Sequence, residues 1–177
     1  MKSRVLAALF ALLLLASSAN AGFWELHIYS DTALTDSTIH DNVPSIVNLY
    51  VVEAGSFSGA TGARFSTEPS AGFTGVWLGD VPSFFTVGNT PTDFAVAYGA
   101  CLPPPILVVT MTYQLFGTST PCSELRIAPA DGQQLVIAPD VDCFFTEGVI
   151  TDLGSLRVSC PVATESTTWG QVKALYR

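Results

Sequence analysis

Residues 106–116 read Ile-Leu-Val-Val-Thr-Met-Thr-Tyr-Gln-Leu-Phe and follow a block of three prolines, Pro103, Pro104 and Pro105. Leu107, Val109, Met111, Tyr113 and Leu115 alternate with Ile106, Val108, Thr110, Thr112 and Gln114. Successive side chains leave a strand on opposite sides, so this period of two, carried by β-branched and aromatic residues, predicts a strand with one buried face. The set from Leu107 to Leu115 is expected inside. The opposite face turns polar from Thr110 to Gln114 and is expected to be partly covered. A long stretch without glycine belongs near the middle of a sheet.

Working outward, residues 45–54 form a second strong strand, apolar on both faces at Ile46, Val47, Leu49, Tyr50, Val51 and Val52. Residues 62–68 alternate, with Ala63, Phe65 and Thr67 opposite Arg64, Ser66 and Glu68. In 92–100, Phe94, Val96 and Tyr98 share one face, and Ala95, Ala97 and Gly99 share the other, where such small residues either plainly fill space or let a partner or another layer approach. Shorter strands are expected at 25–29, 73–78, 123–128, 134–138 and 154–160. Residues 30–44 and 80–90 read as loops, and Asp131-Gly132 as a hairpin turn joining the strands around it. About nine short strands punctuated by turn residues predict an all-β fold, a two-sheet antiparallel β-sandwich of immunoglobulin-like or jelly-roll type.

The N-terminus carries Lys2 and Arg4, an apolar run over 5–16, and Ala19-Asn20-Ala21. This is the pattern of a signal peptide over 1–21 with the mature chain starting at Gly22. The run is shorter than the ~20 residues that span a bilayer, so no transmembrane segment is expected in the mature chain. The expected location is secreted: extracellular, cell-surface or periplasmic. Without Lys2 and Arg4, 5 basic residues face 15 acidic ones, a formal net charge of −10. Scattered acidic charge excludes nucleic acid and anionic membrane as partners, since both need basic patches.

Cys101, Cys122, Cys143 and Cys160 have no CxxC spacing and no neighbouring histidine, so in an exported chain they read as two disulfides rather than a zinc site. Strand parity, counted with a hairpin at Asp131-Gly132, pairs Cys122 with Cys143 and Cys101 with Cys160.

After a sandwich over 22–160, residues 161–167 read as a linker. Residues 168–177 read as a short amphipathic C-terminal helix with Trp169, Val172, Leu175 and Tyr176 on one side, and Thr168 with Gln171 as a capping box. Ten residues do not hold a helix alone in water, so the segment is ordered only where its stripe docks. Either it caps its own sandwich or another protein reads it as an export or attachment signal.

The run containing GATGARFSTEP (59–69), AVAYGA (95–100), ILVVTMTYQLF (106–116) and SELRIAPADG (123–132) resembles the cohesin-like and carbohydrate-binding-module-like β-sandwiches of exported bacterial proteins. The resemblance implies a sandwich that shows a flat sheet to a partner module. The chain departs from cohesins in its four cysteines and its lack of a companion module. TTWGQVKALYR (167–177) is similar to the C-terminal tail of a group of exported bacterial proteins, from which no activity carries over.

Candidate chemistry is sparse. His27 and His40 sit in no nucleophile or metal motif, and GxSxG and HExxH are missing. Glu53, Glu68, Glu124 and Glu147 supply carboxylates for a glycosidase pair, as any acidic chain does. The chain therefore reads as a non-enzyme without cofactor. Asp31, Asp36 and Asp41, and a second set of Asp131, Asp140 and Asp142, are candidate calcium ligands, although plain turn aspartates explain both sets. Trp77, Phe84 and Phe85 are ligand-binding candidates, with Trp24 as a further aromatic and Asp80 or Asn89 as polar neighbours. The leading reading is an exported binding or assembly module with a protein partner. A carbohydrate-binding module with a surface glycan is the alternative, and a hydrolase the distant third.

Overall fold

The computed structural model describes residues 24–55, 59–130, 136–139, 148–149 and 152–159. The strands are β1 (Trp24–Tyr29), β2 (Thr38–Ile39), β3 (Pro44–Gly55), β4 (Ala60–Pro69), β5 (Val76–Pro82), β6 (Phe85–Asn89), β7 (Asp93–Leu102), β8 (Ile106–Phe116), β9 (Glu124–Ala128), β10 (Val136–Pro139), β11 (Gly148–Val149), β12 (Asp152–Leu153) and β13 (Ser155–Val158). One sheet has the order β12-β1-β3-β8-β5. The other runs β11-β10-β4-β9-β13-β2, with β7 also on β4 and β6 on β7. This is the expected two-sheet β-sandwich.

Strand β8 occupies the expected residues and is flanked on both sides, by β3 and by β5. Met111, Tyr113 and Leu115 point inward as its alternation requires. Leu107 does not. Val51 pairs with Val109 but Val52 pairs with Leu107, so Val108 is an extra residue on β8. A bulge of this kind reverses the side-chain phase beyond it. Ile106 and Val108 are consequently buried and Leu107 is exposed.

Between the sheets, Leu26, Ile28, Leu49, Val51, Met111 and Leu115 face Phe65, Phe94, Val96, Leu125, Ile127 and Leu156. Phe65 and Phe94 lie opposite each other on β4 and β7 with ring centroids 5.3 Å apart. Each such ring contributes about 1.5–3 kcal/mol through burial.

Three local expectations change. The strand expected at 73–78 lies at Val76–Pro82, and the loop expected at 80–90 contains β6. Gly88 and Asn89 suggest a turn in isolation, but Gly88 is part of the ladder: its φ is +86°, and a Cβ there would meet the Asp93 carbonyl oxygen at 1.8 Å. The expected 30–44 loop likewise holds β2, which pairs in parallel with β13.

The strands on either side of the expected hairpin turn do not pair with each other. β9 pairs with Ser66 to Pro69 of β4, and β10 pairs with Ala60 to Arg64, both antiparallel. β9 and β10 thus lie along successive parts of β4 rather than against each other. That removes the parity count behind the Cys122–Cys143 and Cys101–Cys160 pairing. Cys101 and Cys122 are both disulfide-bonded, while Cys143 and Cys160 lie outside the described residues. So do the signal peptide, the linker, Glu147, Asp131, Asp140, Asp142, and the stripe Trp169, Val172, Leu175 and Tyr176.

Candidate functional site

Among the described residues β6 pairs only with β7, which leaves its other edge free of a ladder partner. Phe85 of β6 stands opposite Ala97 of β7, which stands opposite Gly62 of β4. One row along, Val87, Ala95 and Arg64 line up in the same way. These side chains share the outer face of the sheet, because Phe65, Phe94, Val96 and Tyr98 take the inner one. Phe85 is 76% exposed and Val87 65%. Ala97 and Gly99 are exposed beside them. Gly99 has φ +73°, and a Cβ there would touch nothing, so the space above it is open. The face therefore combines an exposed aromatic, an edge strand and residues too small to shield the backbone.

Its charge is confined to one end. Arg64 donates from Nε and one terminal nitrogen to both carboxylate oxygens of Asp93, at 2.8 and 2.6 Å. This forked pair holds the Asp93 carboxyl below its ordinary range. Half-exposed pairs of this type contribute about 1 kcal/mol or less, so the pair fixes geometry more than it stabilises the fold.

The three aromatic candidates do not form one surface. Trp77 packs against the core, and its indole N–H donates to the Asp80 carboxylate at 2.9 Å. Asp80 also accepts from the Thr90 amide and hydroxyl, both at 2.8 Å. Phe84 covers the inner layer, with its ring centroid 4.9 Å from that of Tyr98. Only Phe85 of the three points to solvent. Its alternation with Thr86 and Val87 was the signal that could have revealed β6.

The carboxylates are equally dispersed. Glu53 is fully buried between the sheets, where Tyr98 donates its hydroxyl to Oε2. Burial drives the Glu53 carboxyl up to about 7, against the opposing effect of the Tyr98 bond. Glu68 lies on the surface 3.8 Å from Arg126, and Glu124 accepts from Arg157 at 3.0 Å. Asp31 accepts from the Thr35 and Asp36 amides at 2.9 and 2.8 Å and from the Thr35 hydroxyl. Asp36 accepts from the Thr38 amide. Asp41 is buried and accepts from the Gly117 and Ser119 amides at 2.6 and 3.0 Å. Each of the three aspartates is thus engaged in holding backbone. Among the described residues no group of three or more His, Cys, Asp or Glu side chains is placed to hold a metal ion. Nor does any described helix have the length and apolarity to cross a membrane.

No known family profile and no curated protein matches the sequence. Solved structures do share the fold. The cohesin of a type I cohesin–dockerin complex from Clostridium thermocellum, Coh-OlpC-Doc435, is similar with a TM-score of 0.52 at 8% identity, over 78% of this chain and 94% of that one. The cohesin CaCohA2 from Clostridium acetobutylicum is similar with a TM-score of 0.50 at 13% identity, over 77% and 91%. The architecture is therefore a cohesin-like β-sandwich.

Proposed function

We propose that this chain is an exported, non-catalytic binding or assembly module that receives a protein partner on the outer face of β6, β7 and β4. The observation that carries the reading is Phe85, exposed on an edge strand beside Ala97 and Gly99. An aromatic anchor on a surface that admits close backbone approach is what the centre of a protein interface needs. The edge of β6 that no described strand pairs adds N–H and C=O groups that a partner strand can extend. The Clostridium thermocellum cohesin of similar fold stands in a complex with a dockerin, which supports a partner of the same kind, a small protein module. A glycan platform would call for several exposed aromatics, and Trp77 and Phe84 face inward. A hydrolase would call for two carboxylates across a cleft, and Glu53 is in the core whereas Glu68 and Glu124 pair with arginines on the surface.

Immobilised protein should retain a specific protein from the exported fraction of its source. Phe85→Lys and Ala97→Arg should each weaken that retention by roughly tenfold or more, since an anchor residue carries about 2 kcal/mol. Unchanged retention by both variants contradicts the reading. Binding on a glycan array that is lost in Phe85→Lys would replace it with the carbohydrate alternative.

A further inference from the structure

The opposite sheet has an apolar surface of its own. Ile46 of β3 and Val76 of β5 both flank Gln114 of β8 on the outer face, and Phe116 of β8 stands opposite Pro44. Ile46 is 64% exposed, Val43 65%, Val76 50% and Phe116 45%. The outward residues of these three strands here are apolar or uncharged polar, with Asn48, Thr112 and Gln114 spaced among the apolar ones. Sheet interiors seldom leave such a patch without a use.

The geometry points to residues 168–177 of this same chain as the element that covers this patch, with Trp169, Val172, Leu175 and Tyr176 set against Val43, Ile46, Val76 and Phe116. The first argument is where the described chain stops. Ser159 donates its amide to the Ile39 carbonyl at 3.0 Å, and its hydroxyl bonds to His40 Nδ1. His40 is three residues from Val43, hence within ~11 Å of the patch. Residues 160–168 extend up to ~30 Å, more than enough to bring Trp169 onto Ile46.

The second argument is chemical. The stripe is too apolar to leave in water and, at about ten residues, too short to be helical unless it docks. The third is tethering. A segment held by so short a connection has an effective concentration in the millimolar range, which a free partner rarely matches. This face is not the one proposed for the protein partner, so the two assignments stand or fall separately.

Limited trypsin digestion after Lys173 tests the assignment on the whole exported chain. Cleavage should be at least roughly tenfold slower than in a free peptide of residues 161–177, the protection given when docked forms outnumber open ones by that factor. The protection should not depend on protein concentration. The double variant Ile46→Asn, Val76→Asn changes only exposed side chains and should remove it while leaving Phe85-dependent capture intact. Three results would overturn the assignment: cleavage at the free-peptide rate, protection that survives the double variant, and protection that fades on dilution, which would make a second copy the occupant.

Discussion

The outer faces of the two sheets expose similar apolar side chains in different settings. On β6–β7–β4, Phe85 and Val87 stand on an edge strand next to alanine and glycine, so backbone as well as side chain is open to a partner. On β5–β8–β3, Ile46 and Val76 flank Gln114 of an interior strand, and the described chain stops close by at Ser159. Exposure alone therefore does not decide what a face is for. An edge strand with small neighbours fits an incoming module, whereas an apolar patch close to where the described chain stops fits the internal cover proposed for it.

The largest effect should come from removing what both faces share. Phe94→Ala deletes the ring that meets Phe65 and should cost about 3–5 kcal/mol, lowering Tm by about 10 °C in calorimetry. Capture and Lys173 protection should then fail together near the lowered Tm. Loss of one without the other would mean that the faces belong to separate cooperative units.

The next effect is a pH dependence. Glu53 is raised by burial to about 7 from 4.5, and Tyr98 on β7 is the polar group facing it. Its ladder neighbours Leu26 on β1 and Ile106 on β8 carry no charge. The folded state holds a proton that the unfolded state releases, so this stability is complete below pH 4.5 and is lost as pH rises through about 7. A shift of this size is worth roughly 3 kcal/mol. Urea midpoints should fall between pH 5 and pH 8 in the native chain, and Glu53→Gln should flatten that slope. An equal slope in the variant would show that another group carries it.

Disulfide mapping probes the two ends of the sandwich that bound both faces. Cys101 adjoins Leu102, which pairs with Ala60, whereas the Cys122 amide donates to Val158 near the Pro69 end of β4. Those ends are ~30 Å apart, far beyond the ~7 Å limit between bonded cysteines. Cys160 follows Val158 by two residues, so the expected links are Cys122–Cys160 and Cys101–Cys143. Cys122→Ser should cost roughly 2 kcal/mol. Non-reducing peptide maps that return Cys101–Cys160 would contradict the placement of β13.

The smallest effect on stability belongs to Phe85→Lys, within about 0.5 kcal/mol for an exposed side chain. Its consequence should appear in binding alone. A large drop in Tm would mean that Phe85 is structural and would remove it from the interface.

What the sequence reveals follows from how local each feature is. The limits of β8 and the inward Phe94, Val96 and Tyr98 are readable because alternation lies within one strand. So is the small outer face of β7. The reversed Leu107 is not, since the bulge at Val108 exists only in register with β3. Asp131-Gly132 is a local turn signal, whereas the partner of β9 and β10 is set by long-range pairing with β4, which no local signal carries. For the candidate site, Phe85 was legible as an aromatic, but Trp77 and Phe84 needed the packed core to show that they face inward.

A photo-crosslinking amino acid placed in turn at position 85 and at position 46, in cells that produce the protein, tests the division of labour between the faces most directly. Position 85 should yield an adduct with a separate protein, and position 46 an internal link to residues 168–177. A separate protein captured at position 46 with none at position 85 would contradict the account.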